Sequence, residues 1–267
     1  MQILRYRRCL FSVWSDCVKI VIDIVTKNLA KNSKSKSAAL IVGAVGTAIA
    51  TGVGGYATGV FTTQDVQDFE PIYTVSVQEL KSAKSTLNSL LIRSNTTNIP
   101  DYNSQVMPEW YDADNDGCPT RYDILTRDIL NEKVDEINCK VKSGTMFDYY
   151  TGTLVKYNRL VNGGGIDVDH IVAKGNAWIS GGYTWSNDQW KTYVNDEDVL
   201  MATSARVNRS KGDKDASEWL PSNEKFWCRY VIYQVNIKNK YGLSVSTDEK
   251  STIENILNTN CNRNWED

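Results

Sequence analysis

The chemistry in this sequence gathers around one run, Ile166-Asp167-Val168-Asp169-His170-Ile171-Val172, which holds the chain's single histidine. An imidazole titrates near neutral pH, so His170 can take a proton from water. A hard divalent cation wants oxygen ligands. Asp169 supplies an anionic oxygen and Asn208 a neutral one, a set suited to Mg²⁺ or Mn²⁺. Asp167 shares the strand face of Asp169 and is a second candidate ligand. Arg209, Lys211 and Lys214 follow Asn208 and can hold phosphate, with Arg121 as a further candidate cation. Singly, each residue has a plainer reading: a histidine fixed by one hydrogen bond, an amide at a helix end, a solvated basic face. Together they are what hydrolysis of a phosphodiester needs, a base beside a metal site and cations for the phosphate.

These residues must be positioned by short elements. Gly163 to Gly165 precede the His170 run, whose alternation of apolar and polar positions predicts a half-buried strand. Val199–Ala202 reads as a second strand. Ser204–Lys211 reads as a helix with Ser204 as its cap, carrying Arg206, Asn208, Arg209 and Lys211. Upstream, the apolar spacing of Ile124, Leu125, Ile129 and Leu130 predicts a helix over Thr120–Glu132. Asn138–Met146 and Thr151–Tyr157 read as strands broken at Asp148-Tyr-Tyr-Thr-Gly. Ala173–Ile179 and Asn187–Val194 read as short helices carrying Trp178 and Trp190. Phe226–Tyr241 and Thr247–Leu257 read as the last helices, the second capped by Thr247. The mixture predicts an α+β domain over 109–267.

The chain of 267 residues carries a net charge of −2, unevenly spread. Residues 1–50 hold eight Lys/Arg against two Asp/Glu, so 22 basic residues face 30 acidic ones in the remainder. A bulk coating of nucleic acid is excluded, and any such contact must come from a local basic patch. Residues 1–36 form a basic leader. Residues 37–61 carry no charge and are long enough for a transmembrane anchor, about 37 Å as a helix. Ala48-Ile49-Ala50 offers a signal-peptidase site, which makes a signal peptide the competing reading. Either places the rest of the chain outside the cytoplasm, with membrane contact through 37–61 if it is uncleaved. Residues 62–108 read as a linker with one helix over 76–92.

Cys118, Cys139, Cys228 and Cys261 follow the apolar run. An even number of cysteines in an exported domain predicts two disulfides, paired nearest in sequence as Cys118–Cys139 and Cys228–Cys261. Zinc is the rival, but the spacings are wide and no C-x-x-C is present. Asp112-Ala-Asp114-Asn-Asp116-Gly117 has the alternating acids and turn glycine of a Ca²⁺ loop, although Asp123 stands where the closing glutamate is expected.

Asp-Val-Asp-His-Ile-Val, Trp178-Ile-Ser-Gly, Val194-Asn-Asp and the block from Asn208 to Pro221 resemble the HNH-type (ββα-metal, His-Me finger) nuclease domain. The form resembled is the secreted bacterial one, related to the C-terminal domain of GmrSD-type restriction enzymes. The resemblance runs from about Gly117 to Cys261. It implies a ββα-metal core with surrounding helices. His170 is then the general base, Asp169 and Asn208 bind the metal, and the substrate is DNA, with RNA as a second candidate. Many such nucleases orient the base with an asparagine on the second strand. Val199-Leu200 offers none, which leaves Asn195 or a backbone carbonyl for that role. The resemblance also implies a place outside the bacterial cell. Two alternatives accompany it: a surface-binding module whose nuclease fold is inactive, and a nuclease toxin delivered to competitors.

Overall fold

The computed structural model describes residues 73–261 apart from 95, 97 and 136. The leader, the apolar run 37–61 and the cysteines at 9 and 17 lie outside the described residues. Among the described residues no helix is long and apolar enough to cross a membrane.

The fold is α+β. The first helix, α1 (Val77–Ser89), is started by Ser76 in a capping box with Glu79. Although it falls in the stretch that reads as a linker, Ala83, Leu87 and Leu90 are buried in the main core. Arg93, just beyond it, is bound to Asp215 at 3.3 Å and Glu249 at 3.5 Å. Helix α2 (Thr120–Asp128) follows. The chain then turns into β1 (Ile129–Asp135), where the apolar spacing predicted four more residues of helix. Pairing decides the difference: β1, β2 (Lys140–Asp148) and β3 (Thr153–Asn158) form an antiparallel sheet in that order. Ile129 packs opposite Met146 inside the second core cluster. A Cβ on Gly144 would lie 2.2 Å from the Ile129 side chain, so a glycine there lets β1 cross closely. Asn131, in the left-handed region at φ 51°, takes up the bulge in β1.

The glycine turn then feeds β4 (Ile166–His170), with φ positive at Gly163, Gly164 and Gly165. A Cβ on Gly164 would meet the Tyr157 ring at 2.0 Å, so that position needs both the conformation and the space of glycine. Helices α3 (Lys174–Ile179) and α4 (Asn187–Val194) separate β4 from β5 (Leu200–Ser204). β4 and β5 pair antiparallel, His170 opposite Leu200 and Ile166 opposite Ser204. α5 (Ala205–Lys211) follows directly and packs on both strands. α6 (Trp227–Lys240) and α7 (Thr247–Thr259) complete the fold. Ser246, not Thr247, caps α7: Ser246 is extended and forms a capping box with Glu249, whereas Thr247 is already helical.

Two cores result. One gathers the helices, including Leu87, Tyr193, Val231 and Ile253. The other lies among α2, the three-stranded sheet and β4–β5, including Ile124, Val141, Val168 and Leu200. Val168 belongs to the second core and Ile171 and Val172 to the first, so His170 sits on the seam. Both disulfides form as the spacing predicts. Cys118–Cys139 ties the loop before α2 to the β1–β2 turn, and Cys228–Cys261 ties the start of α6 to the end of α7. Loops of 21 and 33 residues are closed, each worth about 3–4 kcal/mol in the loop-entropy picture.

Candidate functional site

His170 ends β4 and is 6% exposed. Its Nε2 lies 3.1 Å from the carbonyl oxygen of Val194. A carbonyl can only accept, so Nε2 carries the hydrogen and Nδ1 keeps the lone pair. A backbone carbonyl therefore orients the imidazole, one of the two possibilities that the sequence leaves open. Asn195, the other, is turned elsewhere: its Oδ1 accepts from Tyr111 N at 3.1 Å and its Nδ2 donates to Glu109 O at 3.3 Å. Trp110 stacks on one side of the ring at 5.6 Å between centroids, and Tyr193 stacks at 5.9 Å. Burial drives the imidazole down to about 3, with the charge of Lys174 adding to the effect and the Val194 bond opposing it.

The sign of this shift fixes two expectations. The folded ring resists a proton that the unfolded chain binds below its ordinary value of 6.5. Its contribution to stability is therefore complete above that value and is lost as pH falls toward about 3. NMR titration of the single histidine should show a neutral ring from pH 8 to about pH 5. A midpoint near 6.5 would mean an open, solvated imidazole and would contradict the burial described here.

Alternation along β4 sends Asp167 and Asp169 to the face opposite His170. Asp169 is 4% exposed and both of its oxygens are engaged. Oδ2 accepts from the Tyr150 hydroxyl at 2.7 Å and Oδ1 from Lys211 Nζ at 2.9 Å. Lys211 also donates to the carbonyl oxygen of His170 at 2.8 Å, and its side chain is fully buried. Lys211 is thus no phosphate-binding cation: its ammonium is spent inside the protein, locking α5 to the end of β4. Burial pushes the Asp169 carboxyl upward, and Lys211 and Tyr150 pull against that push.

Asn208 meets Asp167 rather than Asp169, with Nδ2 3.4 Å from Asp167 Oδ2. Both are half-buried. The oxygen pair that can serve a hard cation is therefore Asp167–Asn208, with Asp169 committed behind it. Arg209 and Lys214 are exposed, and Lys214 Nζ donates to Ser210 O at 2.8 Å. Arg121 lies in the first turn of α2, and no hydrogen bond or ion pair joins it to these residues among those described.

Several contributors escape sequence reasoning. Asp148 ends β2 and Tyr150 lies in the turn after it, in a stretch that reads only as a strand break. The Asp148 carboxylate accepts from Tyr150 N, Thr203 Oγ1, Ser204 N and Ser204 Oγ at 2.5–3.2 Å. Ser204 is correctly placed at the start of α5 but caps nothing with its side chain, because its hydroxyl donates to Asp148. Lys174, half-buried at the start of α3, is a cation whose charge reaches His170. Its signal was its position four residues after the histidine.

The acidic loop is a compact group of its own. The carboxylates of Asp112, Asp114 and Asp116 lie within 4.8 Å of one another, as do those of Asp116 and Asp123. Cys118 falls in the second group but is disulfide-bonded and offers no thiolate. Burial and the neighbouring acids push Asp123 up to about 7.

No family model and no solved structure matches the chain. An uncharacterized secreted protein of the fungus Arthroderma benhamiae is 32% identical over 186 residues, covering 69% of this chain and 87% of the relative. The chain belongs to the family of that secreted protein. Its secreted member supports an extracellular location for this chain, in keeping with the two disulfides. It gives no support to membrane anchorage or to a bacterial source.

Proposed function

We propose that this protein is an extracellular, metal-dependent endonuclease of the HNH (ββα-metal) class that hydrolyses phosphodiester bonds of DNA, with RNA as a second substrate. The observation that carries the reading is His170. A buried neutral imidazole has one nitrogen tied to a carbonyl and the other left as an acceptor, at the end of a strand in a β4–β5–α5 unit.

In this reading Nδ1 of His170 takes the proton of the attacking water, and Val194 holds Nε2–H so that the tautomer cannot change. The arriving phosphate carries negative charge, which favours the imidazolium that burial disfavours. Asp167 and Asn208 are the residues that would hold Mg²⁺ or Mn²⁺. When bound, such an ion supplies charge stabilisation at the phosphate and at the leaving oxygen. Arg209 and Lys214 are the exposed cations for the flanking phosphates, and the extra acids elsewhere leave this as a local patch. Cleavage assays on DNA and RNA with a panel of divalent metals test the reading. Asp167→Ala should abolish metal-dependent cleavage while the protein stays folded.

The deep cover over His170 favours one alternative, a binding module with a nuclease fold and no activity. Cleavage by the purified protein decides between the two. A Ca²⁺ ion at Asp112, Asp114 and Asp116, closed by Asp123, is part of the same proposal as a structural ion. Saturating calcium should raise Tm by several degrees, since an ion at about 100 times its Kd adds about 2.7 kcal/mol. The effect should weaken below pH about 7, where Asp123 holds its proton. An unchanged Tm at high calcium would leave the loop as a solvated turn.

A further inference from the structure

We infer that Trp110 is a positioning residue for His170, and that Asn195 holds it in place. This rests on the reading of His170 as the base and adds to it the group that fixes the ring.

The segment before α2 lies across the His170 end of β4 as a strap. Its attachment is specific. Asn195, 4% exposed, meets the strap through both ends of its amide, Oδ1 with Tyr111 N at 3.1 Å and Nδ2 with Glu109 O at 3.3 Å. Nδ2 also donates to Lys191 O at 3.1 Å, which fixes the amide on the end of α4. Lys191 Nζ sits 4.2 Å above the Tyr111 ring. The Tyr111 carbonyl accepts from Thr120 N and Thr120 Oγ1, both at 3.0 Å, so the strap is bound to α2 as well. Trp110 stands between the two residues that Asn195 grips. Its indole packs against the second core and lies nearly parallel to the His170 ring, at 26°.

A hydrogen bond from Nε2 to Val194 fixes one point of the imidazole but leaves rotation about that bond open. Flat contacts with Trp110 and Tyr193 remove that freedom and set the direction of the Nδ1 lone pair. Tyr193 belongs to the core of α4, its hydroxyl bound to Val172 O, and cannot move independently. Trp110 is the contact that the strap supplies. An amide in this place does by remote anchoring what an asparagine on the second strand would do by direct contact.

The test uses the full chain with Trp110→Ala, Trp110→Phe and Asn195→Leu, each also in a His170→Ala background. Trp110→Ala should lower kcat by about 10- to 100-fold with KM unchanged, the scale expected when a reacting group is misaimed. It should cost nothing further in the His170→Ala background, because there is no ring left to aim. Trp110→Phe should restore most of the rate, which separates aiming from loss of fold. Asn195→Leu should reproduce the Trp110→Ala loss. The ring protons of the single histidine should also move downfield in Trp110→Ala as the indole ring current is removed. Equal losses in both backgrounds, or no loss at all, would overturn the positioning role while leaving the nuclease reading intact. A wild-type protein that shows the ring-current shift but cleaves nothing would overturn both.

Discussion

Replacing His170 by alanine should lower the rate of phosphodiester cleavage by about two to four orders of magnitude, the usual contribution of a general base. No second histidine exists to take over. The loss should fall on kcat rather than KM, since the imidazole takes its proton in the transition state. The variant should remain folded: the ring is held by one hydrogen bond and by stacking, and Lys211 holds the end of β4 through the backbone carbonyl of residue 170. Circular dichroism and Tm provide the control. A folded His170→Ala protein cleaving at the wild-type rate would remove the histidine from the reaction.

Lys211→Ala should destabilise the fold by about 3–5 kcal/mol, the cost of leaving a buried charge without its partner. Asp169 would lose the cation at 2.9 Å and keep a carboxylate that is 4% exposed. Asp169→Ala should cost a similar amount, because it strands an ammonium with no exposure. Replacing both residues by apolar ones of similar size should recover most of the loss. Urea denaturation measures this directly. Single-variant losses below about 1 kcal/mol would show that the pair behaves as a solvated surface bridge. The same experiment separates the two acids of β4. Asp169→Ala should fail in stability, whereas Asp167→Ala should keep its stability and lose metal-dependent activity.

Periodicity in the sequence reveals the elements around His170 well. β4 forms over the predicted run but is buried on both faces rather than half-buried, because Asp169 is engaged by Tyr150 and Lys211; α4 spans the predicted residues, and β5 and α5 follow in the expected order. Local pattern fails where a distant partner decides. Ile129 and Leu130 continue a helical spacing but pair with β2, an outcome that depends on Gly144 in another strand. Residues 93–108 are polar and are loop apart from a 3-10 turn at Ser104–Val106, but their packing has no local signal: the Pro100 carbonyl accepts from the Trp178 indole at 2.6 Å and Tyr102 packs on the same ring. Among the candidate site residues, types and spacing point to His170, to Asp169 and Asn208 as the metal pair and to Asp167 second, and only the fold decides that Asn208 meets Asp167. Lys211 has the composition of a phosphate ligand and the burial of a core residue, and only the direction of its side chain separates the two. Asp148, Tyr150 and Trp110 carry no local signal, because each acts through a partner far along the chain.

The most direct measurement is nicking of supercoiled plasmid by the purified, disulfide-bonded protein, in Mg²⁺ or Mn²⁺, in EDTA, and in EDTA with the metal restored. Nicking is expected with metal, none in EDTA, recovery when metal is returned, and little with His170→Ala under any condition. Undiminished nicking in EDTA, or a folded wild-type protein that cleaves neither DNA nor RNA with any divalent metal, would contradict metal-dependent cleavage.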